Sequence, residues 1–376
     1  MRGITLLLMS LVPVHMTAAQ LLIGTFTDTG ASQGIYAVQL DEKTGALGAP
    51  TLAAETQNPS FLVRAPGNSW IYATGETTGE NGARTGAVCL YAQEPATGAL
   101  RRLSSQPVPG ESPCHLATTR DGRLALSSIY REGLVCAFPV SAEGQLAPQS
   151  AAVATAGPVG PRADRQDHPH AHSTTLSPDE RHAYVCDLGL DRLFIYRIDA
   201  AKNALVPAEP AFAQAPAGAG PRHATFSADG RFLHVLNELA SSVSVYACDP
   251  ATGALELRST HSTLPAGATG QNISAEVRLH PSGRFLYASN RGHDSLAVFQ
   301  RDPATGALTL LETVPCGGRH PRHFALSPDG HWLVCANRDT DNLTVFAIDP
   351  ATGRLAATPH TATVPQPTCV LFPDSP

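Results

Sequence analysis

The sequence predicts an all-β fold, a seven-bladed β-propeller, and two interleaved repeats support that prediction. The phrase DPATGAL begins at Asp249 and Asp302, and related phrases recur about every 50 residues along the chain. A second phrase, a Pro, Asp and Gly turn between two short apolar runs, begins at Ser177, Ser227 and Ser327. Such a turn between apolar, β-branched or aromatic runs is typical of a hairpin. Four strands per repeat, about seven repeats and no sustained helical period indicate a propeller.

The two ends of the chain predict how the ring closes. Three strand-like pieces, LLIGTF, GIYAVQL and TLAAET, precede the first full repeat, and one piece, PTCVLF, follows the last. We therefore expect the C-terminal strand to complete a blade with the N-terminal three, since closure protects sheet edges that would otherwise be exposed. Residues 20–376 are then expected to form a single propeller domain and a monomer.

Composition narrows the class of partner. The 376 residues are 43% hydrophobic and 15% charged, and 26 basic against 32 acidic residues give a net charge of -6. No basic block supplies the positive surface that DNA or RNA binding requires, so nucleic acid is not an expected partner.

The N-terminal residues 1–19 have the pattern of a secretory signal peptide. Arg2 precedes an apolar run, and the small residues Thr17, Ala18 and Ala19 follow it, so cleavage is expected after Ala19. The run is too short to span a bilayer in the mature chain, so no membrane span is expected. The protein is therefore predicted to be periplasmic or secreted, and cytoplasmic if this segment is not cleaved.

Eight cysteines lie scattered along the chain without a CxxC pair or a zinc-type spacing. Most fall in apolar strand-like runs, where a free cysteine behaves as a small hydrophobic residue. An exported protein could form disulfides, but the sequence alone does not pair these residues.

The repeats also predict where a site lies. In each blade the start of the first strand and the end of the second meet at one mouth of the central channel, where ligands are expected to bind. Alignment on the Asp-Gly turn gives two adjacent first-strand positions, occupied by Cys114, His172, Arg222, Ala275 and Arg322 and by His115, Ser173, His223, Glu276 and His323. We interpret the histidine shared by three blades as a repeat feature that bonds a neighbouring backbone.

The second-strand ends show a position whose charge changes from blade to blade. It holds Glu76, Leu188, Glu238, Arg291 and Arg338. Several arginines around one or two carboxylates and an imidazole suit an anionic substrate, because guanidinium groups grip carboxylate or phosphate in a bidentate manner. The alternative is a polar rim whose charges pair with one another.

The stretch DHPHAHST places His168, His170 and His172 at alternating positions. On a continuous strand all three imidazoles would face the same way and could bind zinc. Pro169 disturbs such a strand and His168 is expected in the preceding loop, so the metal site is the weaker alternative and no metal or cofactor is predicted.

The motifs IGTFT, NPSFL, HPHAHS, GPRH, LNEL, SNRG and PRHFALSPDG resemble those of the lactonase-type seven-bladed propellers. That family includes the propeller form of bacterial 6-phosphogluconolactonase and the fungal 3-carboxy-cis,cis-muconate lactonizing enzyme. The resemblance implies a metal-independent site built from a histidine, a glutamate and two arginines. These match His172 or His170, Glu238, Arg222 and Arg291.

The activity expected from this resemblance is hydrolysis of a small anionic lactone of a sugar acid. His172, or else His170, would act as general base, since an imidazole pKa near neutrality suits proton transfer in both directions. Arg222 or Arg291 would stabilise the oxyanion, and Glu238 would orient a neighbour or carry a proton. The remaining charged residues would contact the substrate: His170, Arg322, Glu76, Glu276 and Arg338.

The sequence is compatible with two other functions. The same residues could serve a cycloisomerase that closes a carboxylated diene acid to a lactone. An exported propeller could instead be a non-catalytic binding module, because a fold does not fix a function. Export also favours the lactone of an exported sugar acid over a phosphorylated cytoplasmic metabolite.

Overall fold

The computed structural model describes residues 18–64, 70–78, 84–94 and 97–372. Within these ranges the chain forms seven antiparallel sheets of four strands each, so the predicted propeller is confirmed. A three-residue 3₁₀ helix, Arg338–Thr340, lies between two strands of the last blade. Among the described residues no helix has the length and hydropathy needed to cross a bilayer.

We number the blades from the sheet that contains the first described strand. In chain order the strands are, for blade 1, β1 (Ala18–Thr25), β2 (Gly34–Asp41) and β3 (Thr51–Glu55); for blade 2, β4 (Leu62–Arg64), β5 (Trp70–Thr78), β6 (Arg84–Gln93) and β7 (Leu100–Pro107); for blade 3, β8 (Pro113–Thr118), β9 (Leu124–Ile129), β10 (Leu134–Pro139) and β11 (Ala151–Ala154); and for blade 4, β12 (Ala171–Leu176), β13 (His182–Asp187), β14 (Arg192–Asp199) and β15 (Ala204–Gln214).

The remaining strands follow the same order. They are, for blade 5, β16 (Pro221–Phe226), β17 (Phe232–Asn237), β18 (Ser242–Cys248) and β19 (Leu255–Ser262); for blade 6, β20 (Ile273–Leu279), β21 (Phe285–Arg291), β22 (Ser295–Arg301) and β23 (Leu308–Pro315); for blade 7, β24 (Pro321–Leu326), β25 (Trp332–Asn337), β26 (Asn342–Ile348) and β27 (Leu355–Thr363); and, returning to blade 1, β28 (Pro367–Leu371).

The ring closes as the chain ends predict. Strand β28 pairs antiparallel with β1, with Leu22 opposite Leu371 and Ile23 opposite Val370, and blade 1 has the order β28-β1-β2-β3. β28 therefore takes the inner position that the first strand takes in every other blade, and it contacts the inner strands β24 and β4 on either side. Each of the seven blades therefore has four strands.

Of the predicted signal peptide, residues 1–19, the first 17 residues lie outside the described part of the chain. Ala18 and Ala19 form the start of β1, where they pair with Asp41 and Leu40. The eight cysteines are all unpaired, and six of them are buried.

The Asp-Gly turns form the predicted hairpins through side-chain hydrogen bonds. In blade 5, Ser227 Oγ donates to Asp229 Oδ1 at 2.6 Å, and the same carboxylate oxygen accepts Arg231 N at 3.1 Å. Gly230 adopts φ +71°, a left-handed conformation that glycine reaches without strain. The turn therefore fixes the register of β16 and β17 and, with it, the residues that lie at the far ends of both strands.

Tyrosines on the second strands of blades 4 and 6 tie these blades to the next. The Tyr184 hydroxyl of blade 4 donates to Gly253 O of blade 5 at 3.0 Å, and the Tyr287 hydroxyl of blade 6 donates to Gly353 O of blade 7 at 2.8 Å. A Cβ at Gly253 would lie 2.7 Å from the His182 ring, so the Thr-Gly phrase keeps glycine where two blades meet. These ties hold neighbouring blades at a fixed spacing around the channel.

Bulges on the inner strands explain why one repeat position collects functional side chains. In blade 3, Pro113 pairs with Ile129 and His115 with Ser128, so Cys114 between them has no cross-strand partner. The same extra residue recurs in blades 4, 5 and 7 as His172, Arg222 and Arg322. A bulge bends its strand and re-aims the side chain of the extra residue. In this ring it places those side chains at the channel mouth.

Candidate active site

A cavity of about 680 Å³ opens at the mouth where first strands begin and second strands end. Its lining residues come from the loops and strand ends of several blades: Phe26, Asp28, Asn58, Ser60, Gly75, Glu76, Thr85, Glu111, Ser112, Pro113, Cys114, Tyr130, Arg131, Arg165, His172, Glu238, Arg291 and Arg322. Five residues predicted from the sequence are among them, Glu76, His172, Glu238, Arg291 and Arg322. Arg222 lies directly behind Glu238, whereas His170, Glu276 and Arg338 are absent from the described lining.

Glu238 is the centre of the charged cluster. Its Oε2 lies 2.9 Å from Arg222 Nε and 2.8 Å from Arg291 Nη2, and its Oε1 lies 2.6 Å from Arg165 Nη2. Glu238, Arg222 and Arg291 are each at most 6% exposed. Three guanidinium groups around one buried carboxylate leave an excess of positive charge beside the cavity.

The electrostatics of this cluster follow from burial and from those contacts. Burial alone would raise the pKa of Glu238, but Arg291 and Arg222 hold it well below its ordinary value. Burial lowers the pKa of Arg291 to about 10, against the opposing influence of Glu238. Both groups are therefore charged at neutral pH, and Glu238 is not a reservoir of protons in the free protein.

Arg291 and Arg222 differ in how many of their donors are already engaged. Arg222 donates through Nε to Glu238 and through Nη1 to Ala275 O, with His223 Nε2 3.1 Å from the same Nη1. Arg291 lines the cavity and donates only through Nη2, to Glu238 and to Ser274 O at 2.9 Å, and its Nε has no hydrogen-bond partner among the described atoms. Of the two arginines predicted to stabilise an oxyanion, Arg291 is therefore the one that can reach a bound substrate.

Arg322 brings a further positive charge without a carboxylate partner. Its guanidinium lies over the Phe26 ring, 5.0 Å from the centroid, and it makes no hydrogen bond or ion pair with any described residue. Burial, together with Arg222 and Arg291, lowers the pKa of Arg322 to about 9, so it stays charged at neutral pH. An anion entering the cavity would relieve this repulsion.

His172 lies in the cavity with an uncommitted ring nitrogen. Its Nδ1 is buried and has no hydrogen-bond partner among the described atoms. The ring stands edge-on to Tyr130, with centroids 5.4 Å apart, and edge-on to His223, with centroids 5.2 Å apart. The expected pKa near neutrality is wrong for the free protein, because burial and then Arg222 hold the pKa of His172 well below its ordinary value. The imidazole is neutral across the physiological range.

His170 has both ring nitrogens engaged away from the cavity. Its Nδ1 lies 3.2 Å from Tyr130 O and its Nε2 lies 3.0 Å from Asp167 Oδ1. The ring stacks on Tyr130 at an interplanar angle of 15°, so Tyr130 stands between His170 and His172. The three histidines of DHPHAHST therefore do not share one face. Among the described residues, His168 and His170 converge on Asp167, and His172 is separate from that group.

Glu276 lies in a second cluster deeper in the channel, below Arg222. Its Oε2 lies 2.9 Å from His223 Nδ1 and 3.3 Å from His323 Nε2, and its Oε1 lies 3.1 Å from Arg278 Nε. The repeat interpretation is confirmed for two of the three histidines, because Thr174 N donates to His115 Nδ1 at 3.4 Å and Val370 N donates to His323 Nδ1 at 3.2 Å. Each thus bonds the inner strand of the next blade.

His223 differs from its two siblings in its partner. In blade 6 two residues of β20, Ala275 and Glu276, lie opposite the single residue Ser289 of β21. His223 Nδ1 therefore contacts the Glu276 carboxylate in place of a backbone N–H. His223 then donates through Nδ1 to Glu276 and accepts the Arg222 Nη1 proton at Nε2. This chain of contacts holds the Arg222 guanidinium against Glu238.

Glu76 lies in the described cavity lining, whereas Arg338 does not. Glu76 accepts Asn58 Nδ2 at 2.7 Å, and Asn58 Nδ2 also lies 2.9 Å from Asp28 Oδ1, so an acidic side of the cavity faces the arginines. Arg338 pairs with Asp339 at 2.6 Å in the 3₁₀ helix and does not reach the described cavity lining.

Most of the cavity lining was not predicted from the sequence, and Arg165 and Tyr130 are the most informative of these residues. Arg165 lies in the loop between β11 and β12, which has no counterpart in the repeat alignment. Tyr130 follows β9, and its hydroxyl lies 3.5 Å from Arg165 Nη2. A search for arginine and aromatic residues in that inserted loop and at second-strand ends could have found both.

Cys114 was aligned with the site residues but was given no role. Burial raises the pKa of its thiol to about 12, so it is not a nucleophile.

Comparisons with known proteins agree with this architecture. The family model described as Lactonase, 7-bladed beta-propeller, matches residues 20–372. The 6-phosphogluconolactonase of Bacillus subtilis (strain 168) is 34% identical over 350 residues, which cover 93% of this chain and 97% of that protein.

Solved structures show the same likeness. The periplasmic gluconolactonase of Pseudomonas aeruginosa is 36% identical with a TM-score of 0.88, over 95% of this chain and 99% of that chain. A protein from Lactobacillus plantarum is 32% identical with a TM-score of 0.87, over 95% of this chain and 99% of that chain. The family match spans nearly all of the described propeller. The chain belongs to the lactonase family of seven-bladed β-propellers.

Proposed function

We propose that the protein hydrolyses the lactone of an unphosphorylated sugar acid in this cavity. The observation that carries the proposal is the buried Glu238 carboxylate held by three arginines beside an imidazole with an uncommitted nitrogen. Lactone opening develops negative charge first on the carbonyl oxygen and then on a carboxylate. Fixed guanidinium groups in a desolvated site stabilise that charge.

The chemistry can be assigned to named groups. The neutral imidazole of His172 takes a proton from water while the water oxygen bonds to the lactone carbonyl carbon, and the carbonyl electron pair moves onto oxygen beside Arg291. Collapse of this intermediate breaks the ring C–O bond. The imidazolium returns its proton to the departing alkoxide, and the new carboxylic acid ionises.

Glu238 keeps the arginines in place for this step. Because three guanidinium groups share its two oxygens, Glu238 fixes Arg291 at the cavity surface and offsets part of the repulsion among the cations. Negative charge developing on the substrate also counters the effect of Arg222 on His172. The pKa of the imidazole is therefore expected to rise as the reaction proceeds, which strengthens it as a base when it must hold a proton.

The acidic side of the cavity supports a hydroxyl-rich substrate. Asp28 and Glu76 lie on either side of Asn58, and Glu111 adds a third carboxylate to the lining. Carboxylate oxygens accept hydrogen bonds from sugar hydroxyls, whereas they repel a phosphate. The Pseudomonas aeruginosa relative is a periplasmic gluconolactonase, which supports a substrate of this class.

Acid release from a panel of lactones tests the proposal. The δ-lactone of gluconic acid and its 6-phosphate are compared at fixed pH with spontaneous opening subtracted. We expect a higher kcat/KM for the unphosphorylated lactone, and a loss in His172→Ala and Glu238→Gln on the order of 100-fold or more. His331→Gln, an exposed substitution outside the described cavity lining, serves as control.

Three results would contradict different parts of the proposal. If no lactone is opened above the spontaneous rate, the hydrolase assignment fails. If lactone is hydrolysed but both site variants keep the wild-type rate, the roles given to His172 and Glu238 are wrong. If the phosphorylated lactone has the higher kcat/KM, only the substrate class is wrong.

We also propose that the protein is exported and that the mature chain begins at Gln20. The pattern of residues 1–19 supports this. Cleavage after Ala19 would remove two residues of β1 and leave Gln20 to Thr25 paired with β2 and β28. The intact mass of the protein recovered from the periplasm or medium tests the assignment, and an uncleaved chain confined to the cytoplasm would refute it.

A further inference from the structure

Two imidazole rings converge on one carboxylate beside the active-site cavity. His168 Nδ1 lies 3.0 Å from Asp167 Oδ2, and His170 Nε2 lies 3.0 Å from Asp167 Oδ1. Asp167 and His168 are exposed, whereas His170 is buried, so the group is open to solvent on one side. The proposed hydrolysis uses none of these three side chains.

The other nitrogen of each ring shows where the imidazole protons are. His168 Nε2 lies 2.9 Å from Arg131 O, and His170 Nδ1 lies 3.2 Å from Tyr130 O. A backbone carbonyl only accepts hydrogen bonds, so each of these nitrogens carries a proton. In the neutral form of each ring, the nitrogen that faces Asp167 therefore carries a lone pair and meets another acceptor.

We propose that Asp167, His168 and His170 bind a divalent transition-metal ion, such as Zn²⁺. A cation between the three side chains takes both nitrogen lone pairs and a carboxylate oxygen, and it removes the contact between acceptors. Two imidazoles and one carboxylate are a known zinc ligand set, and ligand atoms bound at about 2.0–2.2 Å lie on the order of 3 Å apart. Imidazole donors favour such an ion over Mg²⁺ or Ca²⁺, which prefer oxygen ligands.

The surroundings fix these ligands as a metal site requires. Metal-binding histidines commonly donate their second N–H to a backbone carbonyl, and both rings do so here. His170 is further held by its backbone N–H, which donates to Asp187 Oδ1 at 3.0 Å, and by stacking on Tyr130 with centroids 4.4 Å apart. Three protein ligands leave one coordination position for water.

The position of the ion gives it a structural consequence. Tyr130 and Arg131, whose carbonyls orient the two rings, also line the cavity, and Arg165, two residues before Asp167, pairs with Glu238. The ion would therefore join the end of β9 to the loop that carries Arg165. The ion would stabilise the positions of Tyr130 and Arg165 beside the cavity, and it would take no part in the hydrolytic step.

Calorimetric titration of the purified, tag-free, chelator-treated protein with Zn²⁺ tests the proposal. We expect one ion per chain, and His168→Ala and Asp167→Asn should each weaken binding by at least the roughly 10- to 100-fold that loss of an outer ligand contact costs. His331→Gln is the matched control, because His331 and Asp329 form an exposed pair at 2.8 Å that no third potential ligand joins among the described residues. Co²⁺ in place of Zn²⁺ should give visible absorption bands in the wild type that both ligand variants lose.

A second measurement separates binding from misfolding. Zn²⁺ should raise the Tm of the wild type by several degrees (~2–4 °C or more at saturating metal), and it should leave the Tm of His168→Ala unchanged. The absence of saturable one-to-one binding in the wild type would overturn the proposal. Unaltered Zn²⁺ affinity in a folded His168→Ala variant would also overturn it. Loss of lactone hydrolysis in every variant would bear on the proposed function and not on the ion.

Discussion

Glu238 and Arg291 occupy the same repeat position in neighbouring blades, and Arg291 Nη2 lies 2.8 Å from Glu238 Oε2. Each residue follows an asparagine at the end of a second strand, Asn237 in one blade and Asn290 in the next. Because the strand registers fix both strand ends, opposite charges at one repeat position meet without a flexible loop. A difference in residue type at one repeat position, glutamate in one blade and arginine in the next, therefore produces a buried ion pair.

Glu238→Gln tests how much this pair contributes. Removal of one partner from a buried ion pair typically costs about 3–5 kcal/mol, and here it leaves two buried guanidinium groups uncompensated. We expect a comparable fall in the free energy of unfolding, measured with urea, and a fall in kcat on the order of 100-fold or more. Glu111→Gln, which removes an exposed carboxylate at the cavity rim, should change stability by less than about 0.5 kcal/mol. Equal losses of unfolding free energy in both variants would contradict the role given to Glu238.

Arg322→Met tests the cation that has no carboxylate partner. A hydrogen bond to a charged group contributes about 1.5–3 kcal/mol, which corresponds to a factor of roughly 10–100 in affinity. We therefore expect the inhibition constant of the product sugar-acid anion to rise by roughly 10- to 100-fold, measured by competition in the lactone assay. Arg338→Met, in a residue outside the described cavity lining, is the control and should leave this constant unchanged. An unaltered inhibition constant in Arg322→Met would show that the anion binds elsewhere.

Substitutions of Glu276 test whether its contact with His223 positions Arg222. Glu276→Ala removes the acceptor of His223 Nδ1 and frees the His223 ring that contacts Arg222. We expect kcat to fall by roughly 10-fold, the usual cost of about 1.4 kcal/mol in transition-state stabilisation, with little change in KM. Glu276→Gln should recover most of kcat, because its amide oxygen can accept the same proton. Equal losses in the two variants, or none in either, would contradict this positioning role.

The part of the site that follows the repeat could be predicted from the sequence. Cys114, His172, Arg222 and Arg322 align because the same bulge recurs on the inner strand of their blades. The repeats in the sequence therefore indicate a shared backbone geometry, and the residue types at the bulge position indicate which side chains could take part in chemistry. Ring closure was predictable for the same reason, since the strand count at the two ends sums to one blade.

What departs from the repeat could not be predicted. Arg165 reaches Glu238 from an inserted loop with no sibling, and alignment cannot place a loop of that kind. The pattern also assigned His170 and Glu276 to the mouth, because period-2 alternation gives the face of a side chain but not its depth along the channel. The ionisation of His172 depends on burial and on guanidinium groups distant in sequence, so its low pKa was visible only in the fold.

His115, His223 and His323, the buried histidines shared by three blades, make the free energy of unfolding depend on pH. Burial lowers the pKa of His115 and of His323 to about 3, and it holds that of His223 well below the ordinary value. In the unfolded chain each imidazole takes up a proton near its ordinary pKa of about 6.5, whereas the folded protein keeps it neutral. Below that pH the unfolded state binds more protons, so the free energy of unfolding falls as the pH falls.

We expect each of these histidines to remove about 1 kcal/mol of stability between pH 6.5 and 5.5. Urea unfolding across pH 7.5 to 5.0 measures the slope, in a window above the range where carboxylates titrate. His115→Gln keeps an acceptor for Thr174 N but cannot protonate, so it should lose about 1 kcal/mol less than the wild type over the same interval. Added salt screens surface charges but not buried ones, so the difference should persist at high ionic strength. Identical pH slopes in the two proteins would show that His115 protonates as readily in the folded state as in the unfolded chain.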